Sequence, residues 1–261
     1  MLSVKNMQRV YGTGVSAVEA VRDLSLEVDN GEFVCIVGPS GAGKTTLLKC
    51  LSGLLTPTKG TVALDGEVVT EPPKKMASVF QDYSRSLMPW LTVERNVGLP
   101  LRNKFPSAGE RRRRVEQALE EVGLSGFGPR YPWELSGGMQ QRVAIARGLA
   151  YQPEILLLDE PFASVDAQTR ADLEDLIQQV HLTTGVTMLL VTHDIDEAVY
   201  LADRVVVLSA RPSVVLETVR VDLPRPRTQL ITKGLPQFAE LRAQVMGLIR
   251  ARDRRTEPTG G

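Results

Sequence analysis

The chain has 261 residues, 43% hydrophobic and 24% charged, the composition of an ordinary globular protein of one large domain or two small ones. Its 31 Lys and Arg cancel its 31 Asp and Glu, which argues against a dedicated nucleic-acid binder, because those carry a basic excess. No apolar run approaches the about 20 residues of a membrane-spanning helix, and MLSVKNMQRVYG has no apolar signal-peptide core, so we expect a cytosolic chain that meets a membrane only through a partner.

Leu24, Leu26 and Val28 alternate with polar residues and predict a strand over 24–28. Asp29-Asn30-Gly31 then turns the chain into the apolar run 33–37. A Gly-rich loop and a helix to about Ser52 follow, with Gly53 as its stop. Short strands are expected at 61–64 and 76–80, with Asp65-Gly66 as a turn. From 92 to 151 the pattern is helical. There Val115, Leu119 and Val122 share one face of a helix that Gly123 ends, and Ser136 starts another that stops before Pro153. The four arginines at 111–114, flanked by Glu110 and Glu116, read as the solvated face of the first. Strands at 155–158, 186–191 and 205–208 then alternate with helices after Asp166 and Asp194. Continuous apolar strands joined by helices imply a parallel sheet covered on both faces. A strand over 214–221, a Pro-broken link and an amphipathic helix over 236–250 come last, with the tail 251–261 expected to be disordered. Cys35 and Cys50 lie in apolar or helical stretches and read as buried hydrophobes; with His181 and His193 remote in sequence, no zinc site is expected.

Three motifs carry chemistry. Gly38-Pro39-Ser40-Gly41-Ala42-Gly43-Lys44-Thr45 fits the phosphate-binding loop G-x-x-x-x-G-K-[ST], between a strand and a helix that continues with Thr46. Its glycines let backbone N–H groups close on phosphates, Lys44 adds a charge near the β- and γ-phosphates, and Thr45 offers a hydroxyl to Mg²⁺. In the run 155–160, an apolar strand ends in Asp159, placed to hold Mg²⁺ through water, and Glu160, placed to orient or deprotonate the attacking water. Leu135-Ser136-Gly137-Gly138-Met139-Gln140-Gln141-Arg142 opens a second helix with free N–H donors, a second anion-binding terminus.

With that octapeptide the sequence resembles the ATP-binding subunits of ABC transporters over nearly its whole length, LSGGMQQR being similar to the family's signature motif. The resemblance implies an α/β P-loop NTPase: a RecA-like mixed sheet with an antiparallel β portion, plus a helical signature subdomain at about 86–150 within a domain spanning 1–250. It implies that Gln81 is the glutamine that senses Mg²⁺ and the permease, His193 the switch histidine at the γ-phosphate and Tyr11 the aromatic that stacks on adenine. Ser164-Val165-Asp166 stands at the D-loop but departs from the commoner S-A-L-D. Two copies would sandwich two ATP molecules, each bound by one subunit's P-loop and the other's Ser136, Gly137, Gly138 and Asp166. The stretch 79–97 and the tail VDLPRPR are similar to the nitrate, sulfonate and taurine importers. The implied partners are a second ATPase subunit, expected to be another copy, membrane permease subunits that hold the chain at the cytoplasmic face of the inner membrane and, indirectly, a periplasmic or extracellular solute-binding protein, with no nucleic acid. An exporter or lipoprotein-release ATPase, or a soluble ABC ATPase, stands as the alternative.

Overall fold

The computed structural model describes residues 1–81 and 86–256. In chain order its strands are β1 (Leu2–Tyr11), β2 (Val18–Val28), β3 (Phe33–Val37), β4 (Lys59–Leu64), β5 (Glu67–Val68), β6 (Met76–Val79), β7 (Ile155–Asp159), β8 (Thr187–Thr192), β9 (Arg204–Leu208) and β10 (Val215–Arg220). Its described helices are α1 (Lys44–Leu51), α2 (Val93–Gly98), α3 (Ala108–Glu121), α4 (Gly137–Ala150), α5 (Ala167–Thr184), α6 (Ile195–Leu201), α7 (Gln229–Lys233) and α8 (Pro236–Thr256). They fall into two compact units, 1–73 with 187–261, and 74–186.

The first unit holds an antiparallel sheet in the order β2-β1-β4-β5. β1 went unread in the sequence because its alternation breaks: Leu2, Val4 and Met7 are buried, and the register with β2 shifts between Val4 and Met7. Asn6 causes the shift, with φ +47°, and its side chain donates to Asp23, itself at φ +44°, over 2.8 Å. The bulge at Asp23 likewise hides the first half of β2, which begins at Val18, six residues before the expected strand. Gly60 on β4 passes so close that a Cβ would stand 2.2 Å from the Asn6 carbonyl. Asp65 and Gly66, at φ +51° and +84°, make the turn into β5. The second layer is built on β3, every residue of which is buried. It pairs in parallel with β8 on one side and β9 on the other, and β10 runs antiparallel to β9. Helix α8 packs on α6, β9 and β10 with Phe238 and Val245 buried. It runs to Thr256 rather than 250, so 251–256 are helical and not disordered. No helix breaker stands between Arg250 and Pro258; the rest of the expected tail, 257–261, lies outside the described residues.

The second unit joins the parallel pair β6–β7 to helices. Thr92 caps α2 by accepting from the Arg95 N–H at 3.4 Å, and Ser107 caps α3 from the Glu110 N–H at 3.3 Å. Val115 and Leu119 are buried as expected. Arg112 and Arg113 are exposed, as a solvated face requires, but Arg111 and Arg114 are held. Arg111 donates to the Phe105 and Pro106 carbonyls, and Arg114 pairs with Glu110 at 2.6 Å while lying 3.7 Å over the Phe105 ring. Among the described residues no helix is long and apolar enough to cross a membrane.

Candidate functional site

In the first unit, loop 38–43 leaves β3 and enters α1 through Gly43, at φ +84°. A glycine cap makes no side-chain bond to the first turn, and the helix dipole favours an anion at this end. Gly43 also lies against β2: a Cβ would approach the Ala20 carbonyl to 2.9 Å. Lys44 is buried, and its Nζ donates to the carbonyls of Gly38 (2.9 Å) and Pro39 (3.1 Å), which holds the ammonium over the loop. Ser40 and Gly41 form the exposed rim, Ala42 is buried and Thr45 is exposed on the first turn. The Tyr11 hydroxyl lies 3.2 Å from Thr46 Oγ1, which brings the ring to α1, and the Arg9 guanidinium stacks over that ring at 4.8 Å. Thr46 thus turns its hydroxyl to Tyr11. His193 follows β8, whose Thr192 is in register with Val37, so His193 and the loop leave parallel neighbours at the same edge. Asp194 caps α6 by accepting from the N–H groups of Asp196 (2.8 Å) and Glu197 (3.2 Å).

In the second unit, β7 ends at a buried Asp159. Glu160 follows with φ +44°, the left-handed region that costs a non-glycine residue free energy and is enriched at functional sites. This conformation presents its carboxylate to Gln81, whose Nε2 lies 3.4 Å from Glu160 Oε2, so two residues 79 apart in sequence meet. Ser136 caps α4 by accepting from the Met139 N–H at 3.3 Å, with Gly137 and Gly138 in the first turn. Asp166 caps α5, and hydrogen bonds from the Thr169 hydroxyl (2.6 Å) and N–H (3.0 Å) hold its carboxyl below the ordinary range.

Thr45, Asp159 and Gln81 each carry a side-chain oxygen, the ligand type a hard divalent ion such as Mg²⁺ prefers. Among the described residues no group of three His, Cys, Asp or Glu could hold a metal unaided. Burial raises the thiol pKa of both cysteines, that of Cys50 to about 11.

Two contacts had no sequence signal, because each depends on where separate segments come together. Thr169 on α5 touches Gly138 on α4. Arg147, on the helix that Ser136 opens, donates to Ser86 through its carbonyl (2.7 Å) and hydroxyl (2.8 Å), and so anchors the chain shortly after Gln81.

A family model described as ABC transporter matches residues 21–163. An uncharacterized ABC transporter ATP-binding protein of Methanocaldococcus jannaschii is 45% identical over 95% of this chain and 91% of its own. An aliphatic sulfonates import ATP-binding protein of Bacillus licheniformis is 42% identical, covering 94% and 92%. A nitrate import ATP-binding protein of Synechocystis is 41% identical, covering 99% and 97%. Among solved structures, a dimeric ATP-binding cassette in a post-hydrolysis state with ADP and Pi superposes with a TM-score of 0.75 at 35% identity, covering 85% of this chain and 99% of that one. The expected α/β P-loop fold stands with that neighbour.

Proposed function

Because the chain belongs to the ABC transporter family, we propose that it is the ATP-hydrolysing subunit of an importer, driving a small solute such as nitrate, a sulfonate or taurine through a membrane permease. The observation that carries this reading is that one chain bears two glycine-opened helix termini of different use. At α1 the cap residue Gly43 makes no side-chain bond and a buried ammonium lies beside it; at α4 Ser136 caps with its hydroxyl. The first suits a nucleotide bound by this chain, the second the nucleotide of another copy. The dimeric cassette among its structural neighbours supports two such copies, and relatives named as importers match nearly its full length.

The residues then have distinct tasks. N–H groups of loop 38–45 and the α1 terminus bind the phosphate oxygens, while Lys44 donates to the β- and γ-phosphates. Tyr11 stacks on adenine with the ring face that Arg9 does not cover. Mg²⁺, held by Thr45, Asp159 and Gln81, would neutralise charge on the β- and γ-oxygens. Glu160 accepts the proton of the attacking water, Gln81 orients that carboxylate, and His193 donates to the γ-phosphate. Ser136, Gly137, Gly138 and Asp166 contact the nucleotide of the second copy. The helices within about 86–150 serve as the signature subdomain. The permease holds the chain at the cytoplasmic face, and a solute-binding protein on the opposite, periplasmic or extracellular side acts on it only indirectly.

The test is uptake. Cells lacking this chain should lose import of one such solute and regain it with the wild-type gene but not with Glu160→Gln, and the chain should fractionate with membranes only when its permease is present. Unchanged uptake of all these solutes, or accumulation of a compound normally exported, would contradict the importer reading.

A further inference from the structure

The D-loop aspartate and the signature glycines are joined inside one subunit by a residue that neither motif includes. Thr169 sits on the first turn of α5. Its Oγ1 donates to Asp166 Oδ2 at 2.6 Å, which fixes χ1. In that rotamer its methyl faces α4 at Gly138: a Cβ there would stand 2.3 Å from Thr169 Cγ2. A threonine in a helix has few χ1 choices. Turning the methyl away from Gly138 therefore gives up the hydrogen bond to Asp166, and keeping that bond leaves room only for glycine at 138.

We infer that Thr169 is a positioning residue that sets the spacing between the α4 terminus and Asp166, so that both present to the second copy's nucleotide as one rigid edge. The role rests on the proposed use of Gly138 and Asp166 across the dimer. It explains why a glycine is needed at 138 even though this residue, unlike Gly43, has no positive φ. The side chain is partly buried and touches no group that would react, so its effect is expected in assembly and turnover and not in nucleotide binding by the single chain.

The experiment compares Thr169→Val, Thr169→Ser, Gly138→Ala and the double variant Gly138→Ala/Thr169→Ser. In a Glu160→Gln background, with Mg-ATP, it reads the chain concentration at half-dimerisation. In the otherwise wild-type chain it reads kcat and KM for ATP, with thermal unfolding alongside. Gly138→Ala should raise the half-dimerisation concentration about tenfold or more, the usual consequence of overpacking. Thr169→Ser removes the methyl and keeps the hydroxyl, so the double variant should return to within about threefold of Thr169→Ser alone. Thr169→Val keeps a methyl but loses the bond to Asp166. It should lower kcat about fivefold, the worth of one hydrogen bond, with KM nearly unchanged and the unfolding temperature lowered by no more than about 2–4 °C, an outcome that a merely structural role would not produce.

A double variant as impaired as Gly138→Ala, or a Thr169→Val that dimerises and turns over like wild type, overturns the role of Thr169. If Gly138→Ala and Asp166→Ala both dimerise and hydrolyse normally, the cross-dimer reading itself falls, and this role with it. Should Gly138→Ala fail to fold, Thr169→Val decides alone.

Discussion

Replacing Lys44 by Met keeps most of the buried stem and removes the charge and its three donors. Two of those donors reach the Gly38 and Pro39 carbonyls in the structure. Each such bond is worth about 1 kcal/mol net. In a chain of this size about 2 kcal/mol lowers the unfolding temperature by roughly 4–8 °C. The larger loss falls on the ligand. An ammonium about 4 Å from a phosphate charge, at an effective dielectric constant of about 20, contributes ~4 kcal/mol. At 1.4 kcal/mol per factor of ten, Mg-ATP should bind around 10³-fold more weakly. Titration calorimetry measures the affinity and thermal unfolding the loop, with Lys59→Met on the exposed start of β4 as the control that should change neither. A Lys44→Met chain that binds Mg-ATP within threefold of wild type would refute the placement of phosphates on this loop.

Gly137→Asp puts a carboxylate at the α4 terminus, so ATP-driven dimerisation should fail on gel filtration while the single chain still binds nucleotide. Asp159→Asn should weaken nucleotide binding in Mg²⁺ and leave the weaker binding in EDTA unchanged, as read by titration in both buffers. The Cys50 thiol, pushed up to about 11 by burial from its ordinary 9.0, stays protonated in the native chain. Alkylation at pH 8 should therefore be slow until denaturant is added. The stability tied to this thiol is intact below pH 9.0 and is lost between there and about pH 11, which thermal unfolding across that range would show.

What could be read in the sequence was whatever is encoded locally. The Gly-rich loop between β3 and α1, the caps Ser136, Asp166 and Asp194, and the stop at Gly123 each need only a few consecutive residues to declare themselves, and each stands where expected in the chain. β3, β7, β8 and β9 were legible because buried parallel strands are unbroken apolar runs. β1 was not, because Asn6 shifts its buried set from even to odd positions midway. The meeting of Gln81 with Glu160, the hold of Arg147 on Ser86 and the fit of Thr169 to Gly138 depend on segments brought together by folding, which no short window contains. The arginines at 111–114 were half-read: their charge pattern was visible, but the Phe105 ring beneath Arg114 was not.

The central claim is that two copies close on ATP and that Glu160 opens them again by hydrolysis. Light scattering on Glu160→Gln tests it most directly. The substitution keeps the size of the side chain and removes the proton acceptor, which general-base catalysis values at about 10²–10⁴ in rate. With Mg-ATP the variant should have twice the monomer mass and retain one uncleaved ATP per chain; without nucleotide it should be a monomer. A Glu160→Gln chain that stays monomeric in saturating Mg-ATP while binding it, or that hydrolyses ATP at the wild-type rate, would contradict the account.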